Sequence, residues 1–491
     1  MAFPILYELN TRCWLRELAL QAGCRVTLSN VPEPLVVEWA RRGFTHIWLM
    51  GVWTSGPAAR EQALTSTGLF REFDLALPDW VDQDVAGSPY AIAAYLVPRN
   101  LGGESGLKKF RRLLRKYGLK LVLDFVPNHV GLGHPWVRAR PGLFVPANAL
   151  DPLAIVVGPS RSPARLSHGR DPHFPPWADT VQLDYRRPDT RAFMIEELKR
   201  LAARCDGVRC DMAMLLLNDV FGETWRNHPC RDEVATGEFW SQAIAGVRGA
   251  HPDFLLLAEA YWNRERDLLN LGFDFAYHKR VADAICEQPE SVQQELLDSR
   301  DWLVRGAHFL ENHDERRAAD RLTPATHRVA AFVMLTLPGL RFLHEGQLAG
   351  WKVRTPVQLG RRFQEPADPA VEAIYDQLLS TLQNTAVGRG TGELLAPRPA
   401  WDDNPTTKWF VLVQWQGAPD EFYLAVANLA PHRSQCYAPL TVAHLARHDW
   451  QLFDVLGGQG HERGGDELRA RGLFLDVPAH AAQLFQFRPL T

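Results

Sequence analysis

Several things are missing from this chain of 491 residues, and each absence argues against a class of function. Nowhere do eighteen uncharged apolar residues occur in succession. The N-terminal MAFPILYELNTR also has no basic stretch leading into a long apolar run, so neither a membrane span nor a secretory leader is expected, and a cytoplasmic location is the default. The formal net charge is −3, without the basic excess that nucleic acid or an anionic membrane surface would attract. There is no internal repeat and no low-complexity tract. The 7 cysteines are odd in number, and a spacing such as Cys205 to Cys210 matches no metal motif, so they read as reduced and mostly buried thiols. What is plentiful is apolar residue, 46%, and tryptophan, 16 in all, in a chain long enough for one large core plus an appended domain.

Short apolar runs at 5–9, 44–50, 119–126, 206–211, 254–260, 273–277, 307–312 and 340–344 read as strands. Segments with helical spacing alternate with them, at 33–42, 104–117, 189–204, 238–249, 279–298 and 325–335. The clearest is 104–117, where Leu107, Phe110, Leu113 and Leu114 recur among Lys and Arg before Gly118 stops the helix. This alternation predicts a (β/α)₈ TIM barrel built from 1–130 and 187–388. Residues 131–186, rich in Pro, His and Arg, are too long for a simple connection and predict an excursion domain after strand three. From 389 to 491 alternating runs such as 408–415 and 421–430 predict a C-terminal antiparallel β-sandwich.

The ionisable residues sit at the ends of those strands. LVLDFVPNHV carries Asp124 and His129, CDGVRCD carries Arg209 and Asp211, FLLLAEAYW carries Glu259, and HFLENHDERR carries His313 and Asp314. In a parallel barrel all the C-terminal strand ends open on one face, so four acidic ends would converge there with one arginine and two histidines. Like charges resist shared burial, and a cost of that kind points to function. Paired carboxylates in a polar pocket suit glycoside cleavage. Glu259, between Ala258 and Ala260, is expected to have a raised pKa and act as the acid, and Asp211, beside Arg209, to stay ionised and act as the nucleophile.

In order and spacing, DFVPNH, GVRCD, the glutamate of LLAEAYW and ENHD resemble the signature regions of glycoside hydrolase family thirteen, the α-amylase family. The resemblance implies that Asp211 is the nucleophile, Glu259 the general acid/base and Asp314 the third carboxylate, which binds and distorts the sugar. It further implies that Arg209, His129 and His313 bind that sugar or orient the carboxylates, that Asp124 supports Arg209, and that the sugar stacks on Tyr90 of GSPYAIAAY. The expected outcome is hydrolysis with retention through a covalent glycosyl-enzyme.

The chain departs from the starch-degrading amylases at Met214 and Leu215, where Lys-His contacts the leaving-group side. Either both residues simply pack in the core, or that side offers few polar contacts and disfavours a long glucan. The missing His also removes a calcium ligand, and although Asn128 stands at the place of another, no set of six oxygens can be assembled, so no metal or other cofactor is expected to be obligatory. Gln347 replaces a common Glu, and RTPVQ (354–358) resembles a segment of the α-glucosidase and trehalose synthase branch. RTPVQ points the same way as Met214-Leu215, to small-molecule α-glucosides or short malto-oligosaccharides as substrates, with no nucleic acid and no membrane partner. A transglycosylase of trehalose synthase or sucrose-using type, an endo-α-amylase and a non-catalytic binding subunit are the alternatives. HGRDPHFPPW (168–177) either rims the pocket or is structural, His168 and His173 lack the second paired cluster a metal site needs, and Glu315-Arg316-Arg317 predicts a solvated helix start.

Overall fold

A computed structural model of the chain describes residues 2–230, 235–417 and 421–490. Eight parallel strands close into a barrel: β1 (Ile5–Asn10), β2 (His46–Met50), β3 (Lys120–Phe125), β4 (Gly207–Cys210), β5 (Leu255–Ala258), β6 (Phe275–Tyr277), β7 (Gly306–His308) and β8 (Leu340–His344). Each pairs with the next in sequence, and β8 pairs back onto β1. Helices wrap the outside, so the strands are buried on both faces and read as continuous apolar runs. A period of two still divides them. Leu6, Trp48, Val122, Leu257, Tyr277 and Phe342 form one cluster inside the barrel, while Ile47, Leu49, Leu121, Leu123 and Leu256 belong to the cluster that includes the helices. Two residues beyond Leu6, Val122 and Leu257 on the same row stand Glu8, Asp124 and Glu259, so the apolar interior gives way to a charged layer at the C-terminal mouth.

The helix expected over 279–298 is two helices, Lys279–Glu287 and Val292–Asp298, because Pro289 between them cannot continue a helical hydrogen-bond ladder. Several helices have no counterpart in the sequence reading, among them Thr11–Ala22, Gly56–Ala63, Thr67–Ala76 and Pro369–Gln383. The first starts without a break from β1, because Asn10 ends the strand and caps the helix by accepting from Cys13 N. Between β3 and β4 lie two small antiparallel pairs, His129–Gly131 with Thr180–Gln182 and Ile155–Val157 with Ala164–Leu166.

Beyond the barrel, a six-stranded antiparallel sheet and a two-stranded sheet, Ser434–Ala438 with Leu473–Val477, share a core. The strand Phe410–Gln416 is buried on both sides: Phe410 and Leu412 face that core, and Val411, Val413 and Trp415 join the barrel's. Trp415 Nε1 donates to the carbonyl of Thr336 at 2.8 Å. The helix Pro324–Thr336 is therefore caught between barrel and sheet, which is why it is apolar nearly all round. No helix among the described residues is long and apolar enough to cross a membrane.

Candidate active site

Arg209 lies at the centre of the charged layer, 1% exposed. Its Nη1 donates to Asp211 Oδ1 at 2.6 Å, its Nη2 pairs with Glu259 Oε1 at 2.7 Å, and its Nε reaches the Tyr277 hydroxyl at 3.3 Å. The rings of Trp48 and Tyr90 lie 5.4 Å from its guanidinium carbon, close enough for cation–π attraction. The planar fork of an arginine lets one cation serve two carboxylates. Asp124, which the barrel register places opposite Arg209, accepts from Trp48 Nε1 at 3.1 Å and Gly51 N at 2.8 Å. Burial pushes its carboxyl up to about 7, with Arg209 pulling the other way.

The two bridged carboxyls differ in their partners. Glu259 also accepts from the Tyr261 hydroxyl at 2.8 Å and from Met212 N at 2.5 Å, and burial pushes it up to about 7 while Arg209 opposes the shift. Asp211 is pushed up by burial as well, and Arg209 reduces that rise without reversing it. Arg209 beside it therefore does not hold the Asp211 carboxyl below its ordinary value: the loss of water around the strand end outweighs one ion pair.

His313 joins the third carboxylate to the strand bearing Glu8. Its Nδ1 lies 2.5 Å from Glu8 Oε1, and its Nε2 lies 3.0 Å from Asp314 Oδ2 and 2.8 Å from the Tyr90 hydroxyl. Burial disfavours the charge on the ring, but Asp314 and Glu8 more than offset it, so His313 is held as imidazolium. Asp314 is partly shielded from water, which raises its pKa, yet His313 brings it down to about 2. Its side chain is 46% exposed at the mouth, placed by an Asx turn in which Asn312 Oδ1 accepts from Asp314 N and Glu315 N. Tyr90 lies nearly parallel to His313, with ring centroids 5.5 Å apart. His129, packed against Trp177 at 5.0 Å, is held neutral by burial, down to about 4, beside the Tyr90 backbone.

The structure thus gathers Asp124, Arg209, Asp211, Glu259, His313, Asp314, Tyr90 and His129 at one mouth, and besides Trp48 and Tyr277 it adds Glu8, Tyr261 and Met212, which the sequence reading did not select. Glu8 is 0% exposed, with its second carboxylate oxygen buried and lacking a hydrogen-bond partner. Its signal was available: it is an acid near the end of an apolar strand, like the other four. Tyr261 and Met212 carry no such signal, since they act on Glu259 through a hydroxyl and a backbone N–H. Backbone strain also gathers at this mouth. Met212 (φ 43), Trp262 (φ 61) and Asn263 (φ 60) are three of the five non-glycine residues of positive φ among those described. Such conformations cost of order 1–3 kcal/mol and persist where surroundings over-determine them. At Met212 the hydrogen bond to Glu259 helps fix it, and the Trp262 ring meets His173 edge-on at 4.8 Å, which brings 168–177 to the rim.

Arg317 is not solvated as expected. It is 2% exposed and donates to Glu311 Oε1 (2.5 Å), His344 Nδ1 (2.6 Å) and the Glu345 carbonyl (2.9 Å), tying together the loops after β7 and β8. Arg317→Ala strands the buried Glu311 charge and should lower stability by about 3–5 kcal/mol, read as a fall in the urea midpoint. A midpoint like that of the parent protein would show that water replaces the guanidinium. Met214 and Leu215 are 0% and 3% exposed, so they pack in the core. Asn128 Oδ1 already accepts from Gln182 Nε2 at 2.9 Å, and among the described residues no group of three His, Cys, Asp or Glu side chains could hold a metal.

Solved structures place this architecture. The maltogenic α-amylase AmyB of Thermotoga neapolitana superposes over 99% of both chains with a TM-score of 0.68 at 18% identity. An α-amylase of Geobacillus thermoleovorans, solved with acarbose, does so over 99% of both chains at 0.67 and 18%. The fold is that of the α-amylases. A debranching enzyme of Nostoc punctiforme shares the α-amylase fold too, at a TM-score of 0.65 and 15% identity over 98% of both chains. Among curated sequences, α-amylase 3 of Dictyoglomus thermophilum is 22% identical over 280 residues, 52% of each chain. α-Amylase MalA of Haloarcula japonica is 21% identical over 313 residues, 61% of this chain and 42% of its own. The chain therefore spans about half the length of the curated relatives it matches. No protein-family model matches it.

Proposed function

We propose that the protein is a retaining α-glycoside hydrolase acting on small α-glucosides or short malto-oligosaccharides, without need of calcium. Asp211 attacks the anomeric carbon, Glu259 protonates the leaving oxygen and later activates water, and Asp314 grips the sugar on the Tyr90 face, with His129, His313 and Arg209 around it. The observation that carries this reading is the pair of buried carboxyls, Asp211 and Glu259, bridged by one guanidinium, with Glu259 at about 7 poised to donate a proton near neutrality. For a small substrate the support is the loop after β8: Arg354 of RTPVQ, whose charge reaches Asp314, pairs with Glu72 at 2.8 Å and ties that loop to the helix Thr67–Ala76.

The test is ¹H NMR product analysis on maltose, isomaltose, trehalose, sucrose, maltoheptaose and soluble starch, with and without a chelator. Release of α-glucose from disaccharides, unaffected by chelation, is expected. Isomeric disaccharides instead of glucose would make it a transglycosylase, rapid starch fragmentation lost on chelation would make it a calcium-dependent endo-amylase, and no turnover would make it a binding subunit.

A further inference from the structure

A cavity of about 560 Å³ opens between the helices Thr11–Ala22 and Gly56–Ala63 and the segment 83–101. Three guanidiniums line it, those of Arg12, Arg16 and Arg60, against the one carboxylate among its lining residues, Asp84. Arg16 pairs with Asp84 at 2.9 Å, but Asp84 also takes Arg361 at 2.8 Å. Arg12 gives its hydrogen bonds to neutral acceptors, the Gly87 carbonyl at 2.7 Å and Ser55 Oγ at 3.0 Å. Arg60 does the same, reaching the carbonyls of Val85 at 2.9 Å and Asp82 at 2.6 Å. Among the described residues neither Arg12 nor Arg60 forms an ion pair. Two positive charges therefore stand uncompensated at a partly buried wall, and burial pulls Arg12 down to about 10. The helix Gly56–Ala63 starts at the same wall with no side chain capping it, because the Ser55 hydroxyl is engaged by Arg12.

We propose that this cavity, none of whose lining residues belongs to the carboxylate layer, binds a phosphate-bearing small molecule of about the size of a sugar phosphate. The charge selects the group: a phosphate monoester carries about −1.5 to −2 near neutrality, which matches two free guanidiniums, whereas a lone carboxylate would leave one unanswered. The N–H groups that Arg12 and Arg60 do not give to Gly87, Ser55, Val85 and Asp82 remain as donors for the three oxygens of such a group. Leu15 and Leu101 supply an apolar wall for the rest of the ligand, and the volume lies within the range of small-molecule sites.

Isothermal titration of the full chain with inorganic phosphate, glucose 6-phosphate and glucose tests this. Saturable binding of at least one phosphate compound is expected, weakened at least tenfold by Arg60→Gln and largely kept by Arg60→Lys, with circular dichroism unchanged. Tighter binding of glucose 6-phosphate would make the ligand a monoester, and equal binding would make it free phosphate; both support the site. Arg12 and Arg60 both also hold backbone carbonyls, so retention by Arg60→Lys together with the unchanged circular dichroism separates binding from folding, and Arg60, which the catalytic reading does not use, is the deciding position. No saturable binding of either phosphate compound, binding by Arg60→Gln as tight as by the parent protein, or binding of glucose equal to that of glucose 6-phosphate would overturn the proposal.

Discussion

Asp211→Asn should reduce turnover by on the order of 10⁴- to 10⁶-fold while leaving the fold intact. The side chain is 6% exposed and meets Arg209 at 2.6 Å, and an amide of the same shape keeps the space filled but cannot form an ester with the anomeric carbon. Asp211→Gly opens the sharper experiment. With the nucleophile gone from its face of the sugar, azide can occupy that space and displace fluoride from α-glucosyl fluoride in one step, forming the C–N bond as the C–F bond breaks. One displacement inverts, so the product should be β-glucosyl azide. An Asp211→Asn variant with near-normal rates, or α-azide from Asp211→Gly, would remove Asp211 from the role.

Much of this site was legible in the sequence because barrel geometry converts strand order into proximity. Asp124, Arg209, Asp211, Glu259 and Asp314 are dispersed over 190 positions, yet each closes an apolar run, and in a parallel barrel all such ends share one mouth. The C-terminal sheets were legible from alternation, although Phe410–Gln416 alternates between two apolar cores and not between core and solvent. Three kinds of feature were not legible. The direction of the Asp211 shift depends on how much water the folded mouth excludes, a quantity no local pattern records. Arg317 sits in a run of charges that reads as solvated, and only the packing of the β8 loop over it makes it internal. Met212 N meets Glu259 at a strained turn whose residue type gives no warning of positive φ, and Tyr261 reaches the same carboxyl from two residues along its own chain, a contact that strand alternation does not single out.

The same contacts set the pH behaviour of Glu259, and Glu259→Gln isolates it. With the carboxyl at about 7, the acid carries its proton below neutrality and loses it above, so kcat/KM should fall as pH rises through about 7. The acid limb has the opposite sign, since the nucleophile must be ionised, and the rate falls as pH drops through the lower of the two apparent values that the bridged pair shares. Glu259→Gln should remove the alkaline limb and lower rates on natural glucosides by about 10²- to 10⁴-fold. Aryl glucosides with good leaving groups need no proton for departure, so their glycosylation step should be nearly spared and the glycosyl-enzyme should accumulate, because no base remains to activate water. Azide needs no base and should restore turnover. In this variant Asp211 is intact, two displacements occur, and the product should be α-glucosyl azide, the stereochemical opposite of the Asp211→Gly outcome. Equal losses of kcat/KM on natural and activated substrates, an alkaline limb that survives the substitution, or a β-azide product would each take the proton-transfer role away from Glu259. The donors that surround it, Arg209, Tyr261 and Met212 N–H, would then be holding a structural carboxylate.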